Sequence, residues 1–306
     1  MDQGSNQQYK GTGALDAFLN LFSLITLGWM SIAIGIMLFQ IIDKFLSPGT
    51  VFYLSRFSQT SLKFGVASAL IIVPVFLLTI SSLHKKYKSG KLNPDSSVYR
   101  WLTYLILLIT GLNIIGRLIQ LVFKFLDGDY TLPSILKILV VIAIASGIFG
   151  YYWYDLKRSD YSKRSNVSQI FFGLVVAVTV ISVVTSFFIV DSPQKTNLKK
   201  LDEQRVNDLT YLSDMVNNYY YENDVLPEDL SAARFSQFTD PATQQPYTYN
   251  VLGEESYELC ATFDLPADDS DETYYSGNRD WFYHQAGQQC FTASVNPDLK
   301  PVPIYR

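Results

Sequence analysis

Residues 167–190 read VSQIFFGLVVAVTVISVVTSFFIV, and residues 191–200 follow as DSPQKTNLKK. The first run carries no charge and exceeds the about 20 apolar residues that take a helix across the hydrocarbon core of a bilayer. In lipid, backbone N–H and C=O groups find partners only within such a segment, so the run is read as a membrane span. The second run opens a polar segment, and the chain divides near Asp191.

Charge divides at the same point. Residues 1–191 hold 16 Lys+Arg and 9 Asp+Glu, net +7, whereas residues 192–306 hold 8 and 19, net −11, which leaves −4 over 306 residues. With 48% hydrophobic and 17% charged residues, the chain is too apolar for one soluble domain. A basic apolar half followed by an acidic, tyrosine-rich half also argues against disorder and against nucleic-acid binding.

Toward the N-terminus four more stretches pass the length test: about Leu15–Ile42, Leu62–Leu83 with an expected kink at Pro74, Trp101–Leu126 and Ser134–Tyr154. Ser47-Pro48-Gly49 and Asp127-Gly128-Asp129 before Pro133 are turn signals between spans. Lys85, Lys86, Lys88, Lys91 and Arg100 in one loop, and Lys157, Arg158, Lys163 and Arg164 in another, supply the positive excess of cytoplasmic loops. Lys44, Arg56 and Lys63 oppose that orientation in smaller number. Trp101 and Tyr151 to Tyr154 read as interfacial anchors. No A-x-A-like cleavage site follows the first apolar run, so no cleaved signal peptide is read. The expected organisation is a cytoplasmic tail at 1–13, a four-helix membrane domain at 14–160, a fifth transmembrane helix at 161–191 and an extracytoplasmic globular domain at 192–306.

In that last domain Val206, Leu209, Leu212, Val216 and Tyr219 recur at three- and four-residue steps, giving an amphipathic helix from Asn197 to Asn223 that Leu226-Pro227 ends. Residues 247–251, 257–263 and 290–295 have strand composition. The two cysteines, Cys260 and Cys290, both fall in the part placed outside, where disulfides persist, and a disulfide is expected over two buried thiols. The fold class is therefore a membrane all-α bundle of four spans plus a fifth anchoring span, followed by an α+β domain with a long helix on a small antiparallel sheet.

Asn113, Arg117 and Gln120 share one face of the third span, and a charge there needs a partner. The face either lines a polar path or meets Gln40 or Asp43, or else it makes a structural pairing in the bundle or lets Arg117 snorkel outward, and the structural reading is preferred. Asp268, Asp269, Asp271 and Glu272 form the densest acidic cluster, a weak calcium candidate whose spacing departs from the EF-hand, so a solvated loop is preferred. His284 and His84 stand apart from other ligands, and His284 is read as a packed or surface residue rather than a zinc ligand. No nucleotide-binding, zincin or hydrolase motif occurs, so neither catalytic nor cofactor-binding residues are expected.

Trp101-Leu102-Thr103-Tyr104-Leu105, Ile115-Gly116-Arg117-Leu118-Ile119, Phe125 to Leu132 and Tyr151 to Leu156 resemble the pattern of an uncharacterised bacterial four-helix membrane family, a domain of unknown function, over about Ala14 to Arg158. The resemblance implies an inner-membrane location and four spans but no activity. The family pattern carries an acidic residue where this sequence has Arg117, so no role of that carboxylate carries over. Separately, Asn223 to Leu230, Asp240-Pro241-Ala242-Thr243 and Tyr247-Thr248-Tyr249 make the C-terminal domain similar to the globular part of type IV pilins and type II secretion pseudopilins. That resemblance implies a helix on an antiparallel sheet with a Cys pair closing a C-terminal loop. Residues 162–167 lack the Gly-Phe processing site, so a filament subunit is not expected.

These readings lead to a non-enzymatic, multi-pass protein of the bacterial inner membrane, with its N-terminus cytoplasmic and its pilin-like domain binding a protein partner outside. Beyond the bilayer, a homo-oligomer through the bundle is the further partner considered, calcium the one cofactor and nucleic acid none. The alternative is a small transporter or channel component with the outer domain as a cap.

Overall fold

The computed structural model describes residues 13–46, 57–89, 96–128, 131–158, 165–231, 235–267 and 280–295. Ser47-Pro48-Gly49, Arg56, Lys91, Lys163, Arg164 and the acidic cluster Asp268, Asp269, Asp271 and Glu272 lie outside them. The chain forms two compact units, Met1–Val190 and Asp191–Arg306.

The first unit holds α1 (Gly13–Leu46), α2 (Gln59–Lys88), α3 (Ser97–Leu126), α4 (Leu132–Leu156) and α5 (Asn166–Ile189). All five are long and apolar enough to cross a membrane. The shortest, α5 with 24 residues, extends about 36 Å against a core about 30 Å thick. The chain is a multi-pass membrane protein. Helices α1 to α4 overrun the expected spans, α2 and α3 from N-termini capped by polar side chains, while α5 matches its expected length. The side chains of Ser58, Ser96 and Ser165 accept hydrogen bonds from the N–H groups of Ser61, Tyr99 and Val167. The α2 helix runs on through Pro74.

Helix α1 packs against each of the other four. Leu27, Met30, Ala33, Ile34 and Met37 of α1 meet Leu62, Val66, Ala69 and Phe76 of α2, Leu107 of α3 and Ile148 of α4. The α1–α2 seam is close because Gly65 has no side chain: a Cβ there would lie 3.0 Å from Met37 Cγ and 3.4 Å from the Ala33 carbonyl. Hydroxyls inside the bundle are satisfied locally, as Thr79 bonds the Val75 carbonyl at 2.8 Å and Thr110 that of Ile106 at 2.7 Å. At the far end Lys137 Nζ sits 2.6 Å from Asp43 Oδ1. That approach lies out of hydrogen-bond direction, so the contact is an ion pair.

The second unit begins with α6 (Pro193–Asn223), capped by Ser192 and closed by Asp224 in the left-handed region at φ 57°. Strands β1 (Thr248–Val251), β2 (Ser256–Phe263) and β3 (Gly287–Ser294) follow in an antiparallel sheet of order β1-β2-β3. Alternate residues Tyr257, Leu259, Ala261 and Phe263 of β2 form one core with Val206, Leu209, Leu212 and Val216 of α6. Trp281 joins this core while its Nε1 donates to Thr210 Oγ1 at 3.0 Å. On the opposite face Cys260 and Cys290 stand directly across from one another and form a disulfide, as expected from their location.

One buried cation fastens this unit. Arg205, 3% exposed, donates through Nε to Asp240 Oδ2 at 2.6 Å and through Nη1 to Asp202 at 2.7 Å and Asp264 at 2.6 Å. Asp202 also accepts the N–H groups of Asp264 and Leu265, and Asp240 those of Ala242 and Thr243. Burial alone would raise the Asp240 carboxyl, but the Arg205 guanidinium and the Thr243 and Ala242 N–H bonds hold it below the ordinary carboxylate range.

Replacing Arg205→Met strands these carboxylates and is expected to destabilise the unit by about 3–5 kcal/mol in denaturant unfolding of the full chain. Because the Asp240 value is lowered on folding, its contribution is complete above the ordinary carboxylate value of about 4 and vanishes as pH falls through the lowered one. Acid titration of unfolding in wild type, set beside Asp240→Asn, measures that loss. Reduction of the disulfide, which closes a separation of 30 residues, is expected to remove about 3–4 kcal/mol, read from the shift of the same transition in reductant.

Candidate functional site

Where α1 and α3 begin and α2 and α4 end, the bundle holds a cavity of about 60 Å³ lined by both polar and apolar side chains. Each of the first four helices contributes one end. Asp16 and Asn20 lie one turn apart on α1, and Asn20 Nδ2 donates to Asp16 Oδ1 at 2.8 Å. Tyr87 of α2 donates to Asn20 Oδ1 at 3.1 Å. Tyr99, in the first turn of α3, donates its hydroxyl to Asp155 Oδ2 on α4. Arg158 Nη1 stands 3.8 Å from the other Asp155 oxygen. Ser23, His84 and Thr103 also line the cavity, with Asp16 just behind its wall, and His84 Nδ1 lies 3.2 Å from the Ile80 carbonyl.

Asp16 and Asp155 are 5% and 7% exposed by residue, so each carboxyl depends on its hydrogen-bond partners in the bundle. A cavity of this volume admits about four waters and is too small for an organic substrate. Its donors and acceptors are carried by a carboxylate, a guanidinium, an imidazole and phenols, which suits ordered water or a small polar solute.

The sequence pointed elsewhere. Arg117 bonds Gln120 on its own helix, Nη1 to Oε1 at 2.6 Å, and Asn113 is exposed. Neither proposed partner meets that face: Gln40 Oε1 accepts the Ser58 N–H at 2.6 Å, and Asp43 pairs with Lys137. Tyr152 turns into the bundle at 8% exposure instead of anchoring at an interface, while Trp101 and Trp153 stay exposed. Tyr151 stacks on Phe171 of α5 with centroids 4.4 Å apart.

In the second unit His284 is packed, its ring stacked 3.7 Å from that of Phe263, and burial lowers its pKa. Asp208 is raised by burial although Tyr247 donates to it at 2.8 Å. Among the described residues one cluster brings metal-ligating atoms close together, Glu258, Cys260 and Cys290, and its two sulfurs are bonded to each other.

The cavity had a faint signal in the sequence. Asp16 and Asn20 recur at four residues and His84 and Tyr87 at three, at helix ends where hydropathy already falls. Nothing local joins those ends. Replacing Tyr99→Phe removes a donor from a buried carboxylate and is expected to cost about 1–3 kcal/mol, seen as earlier thermal unfolding of the full chain in detergent. The double variant Tyr99→Phe/Asp155→Leu is expected to recover part of that loss.

No curated protein matches the chain. No solved structure matches it either. Over the first four helices, residues 16–152 match the family model described as a domain of unknown function, DUF5671.

Proposed function

We propose that the chain is a non-enzymatic protein of a bacterial cytoplasmic membrane, whose bundle anchors a pilin-like domain that binds a protein partner outside the cytoplasm. The observation that carries this reading is the Cys260–Cys290 disulfide, a bond that persists in oxidising compartments. Its unit follows an odd number of spans, counted from the end that holds Lys85, Lys86, Arg100, Lys157 and Arg158. On this reading the N-terminus is cytoplasmic. A long helix on an antiparallel sheet with a nearby Cys pair is the arrangement that resemblance to pilins and pseudopilins implies. The net −11 of residues 192–306 favours a basic partner surface or a cation and disfavours nucleic acid. Calcium at Asp268, Asp269, Asp271 and Glu272, and a homo-oligomer through the bundle, belong to the same proposal.

The polar cavity favours a second reading, a small transporter or channel component with the outer domain as its cap. The anchor reading expects Tyr87→Phe and Thr103→Val in the cavity wall to leave capture of the partner intact, whereas a conduit through that cavity fails with either while still folding.

The test is topological. Alkaline phosphatase fused after Arg306 is expected to be active in intact cells, and a fusion in the loop after Leu156 inactive. Cys260 and Cys290 are expected to resist alkylation until a reductant is added. An active fusion after Leu156 with an inactive one after Arg306 would falsify the orientation.

A further inference from the structure

A second opening lies at the same end of the bundle, between α2 and α5, a groove of about 340 Å³. That volume is in the range of sites that take a whole ligand. Its wall changes character along the helices. Nearest the bundle end it is lined by Ser81 and His84 of α2 and by Ser168 and Gln169 of α5. About one turn deeper it is lined by Leu77, Ile80 and Phe172. Both helices contribute to this gradient because they run in opposite directions: α2 brings Leu77 before His84, and α5 brings Ser168 before Phe172.

Ser168 is the anomaly in that wall. It is 4% exposed, and its Oγ is buried without a hydrogen-bond partner. Elsewhere on the same helix such hydroxyls bond the carbonyl one turn back, as Ser186 does to Ser182 at 2.7 Å and Thr179 to Val175 at 2.8 Å. A buried donor left unbonded is destabilising unless something else accepts from it. The surroundings favour an anionic acceptor. Lys85 and Lys86 follow His84 directly, and the groove borders the N-terminus of the 24-residue α5, the positive end of its dipole.

We propose that this groove holds one anionic phospholipid, with its phosphate among Ser168, Gln169 and His84 and an acyl chain along Leu77, Ile80 and Phe172. A polar mouth and an apolar floor, with two lysines next to His84 in sequence, match the amphiphile already present at that depth of a bilayer. The inference requires that the chain span a membrane, and it holds whichever side the C-terminal unit occupies.

The test uses the full chain in nanodiscs of equal phosphatidylglycerol and phosphatidylcholine, with retained lipid counted by native mass spectrometry after transfer to detergent. One phosphatidylglycerol per chain is expected, at least fivefold over phosphatidylcholine. Gln169→Leu with Ser81→Ala is expected to cut that retention at least fivefold. Ile170→Ala, at a position 68% exposed, is expected to leave it unchanged. Ser168→Ala removes a single oxygen and adds no bulk, so it is expected to lower retention while raising the lipid-free melting temperature. Equal retention of both lipids by wild type, or undiminished phosphatidylglycerol in the groove variants, overturns the proposal. Displacement of the lipid by millimolar inorganic phosphate also overturns it, since the groove would then be a site for the free anion.

Discussion

Hydrocarbon offers no partner to a peptide N–H, and this constraint organises the whole first unit. It forces every backbone group between Gly13 and Ile189 that lies in lipid into a helix, and it makes hydroxyls such as those of Thr79, Thr110 and Ser186 turn back on their own carbonyls. It also sorts the ionisable side chains. Asp16, Asp155 and Arg158 gather at one end of the bundle and Asp43 with Lys137 at the other, leaving Leu27, Met30, Ala33 and Leu107 between them. The polar cavity and the α2–α5 groove share one end for the same reason, because chemistry that needs charge collects where water is near.

The second unit answers a different constraint. In water, apolar burial is favourable by itself, and Leu209, Leu212 and Leu259 supply it. What that burial does not fix is where the connections go. Arg205 does, because its single planar cation reaches Asp202 on its own helix, Asp240 at the turn before β1 and Asp264 just after β2. Packed apolar residues in place of the whole cluster, the three carboxylates included, would match its stability, but they would not specify those three directions.

How much of this was legible in the residues follows from the range over which each signal acts. Span number and approximate position were legible, since an apolar run of sufficient length is a local property. Helix ends were read short because capping groups such as Ser58 and Ser96 extend helices past the apolar run. The α6 face was legible from Val206, Leu209, Leu212 and Val216. Strand β3 begins at Gly287, earlier than its composition indicated, because Gly287-Gln288-Gln289 is polar and is held extended by pairing with Ala261, Thr262 and Phe263. The cavity and the Arg205 cluster were not legible. Tyr99 meets Asp155 across 56 positions and Arg205 meets Asp264 across 59, and neither residue differs locally from others of its type. Arg117 drew attention because it is conspicuous by composition, yet its bond is to a neighbour on its own helix.

The Cys260–Cys290 bond closes the β2–β3 pair at its middle, with a sequence separation of 30. The strands are thus held in register without help from the segment that joins them. An insertion between residues 268 and 272 therefore lengthens a covalently closed ring without shifting the register of the pair, so length there is free to vary where it is fixed at Asp264 or Trp281.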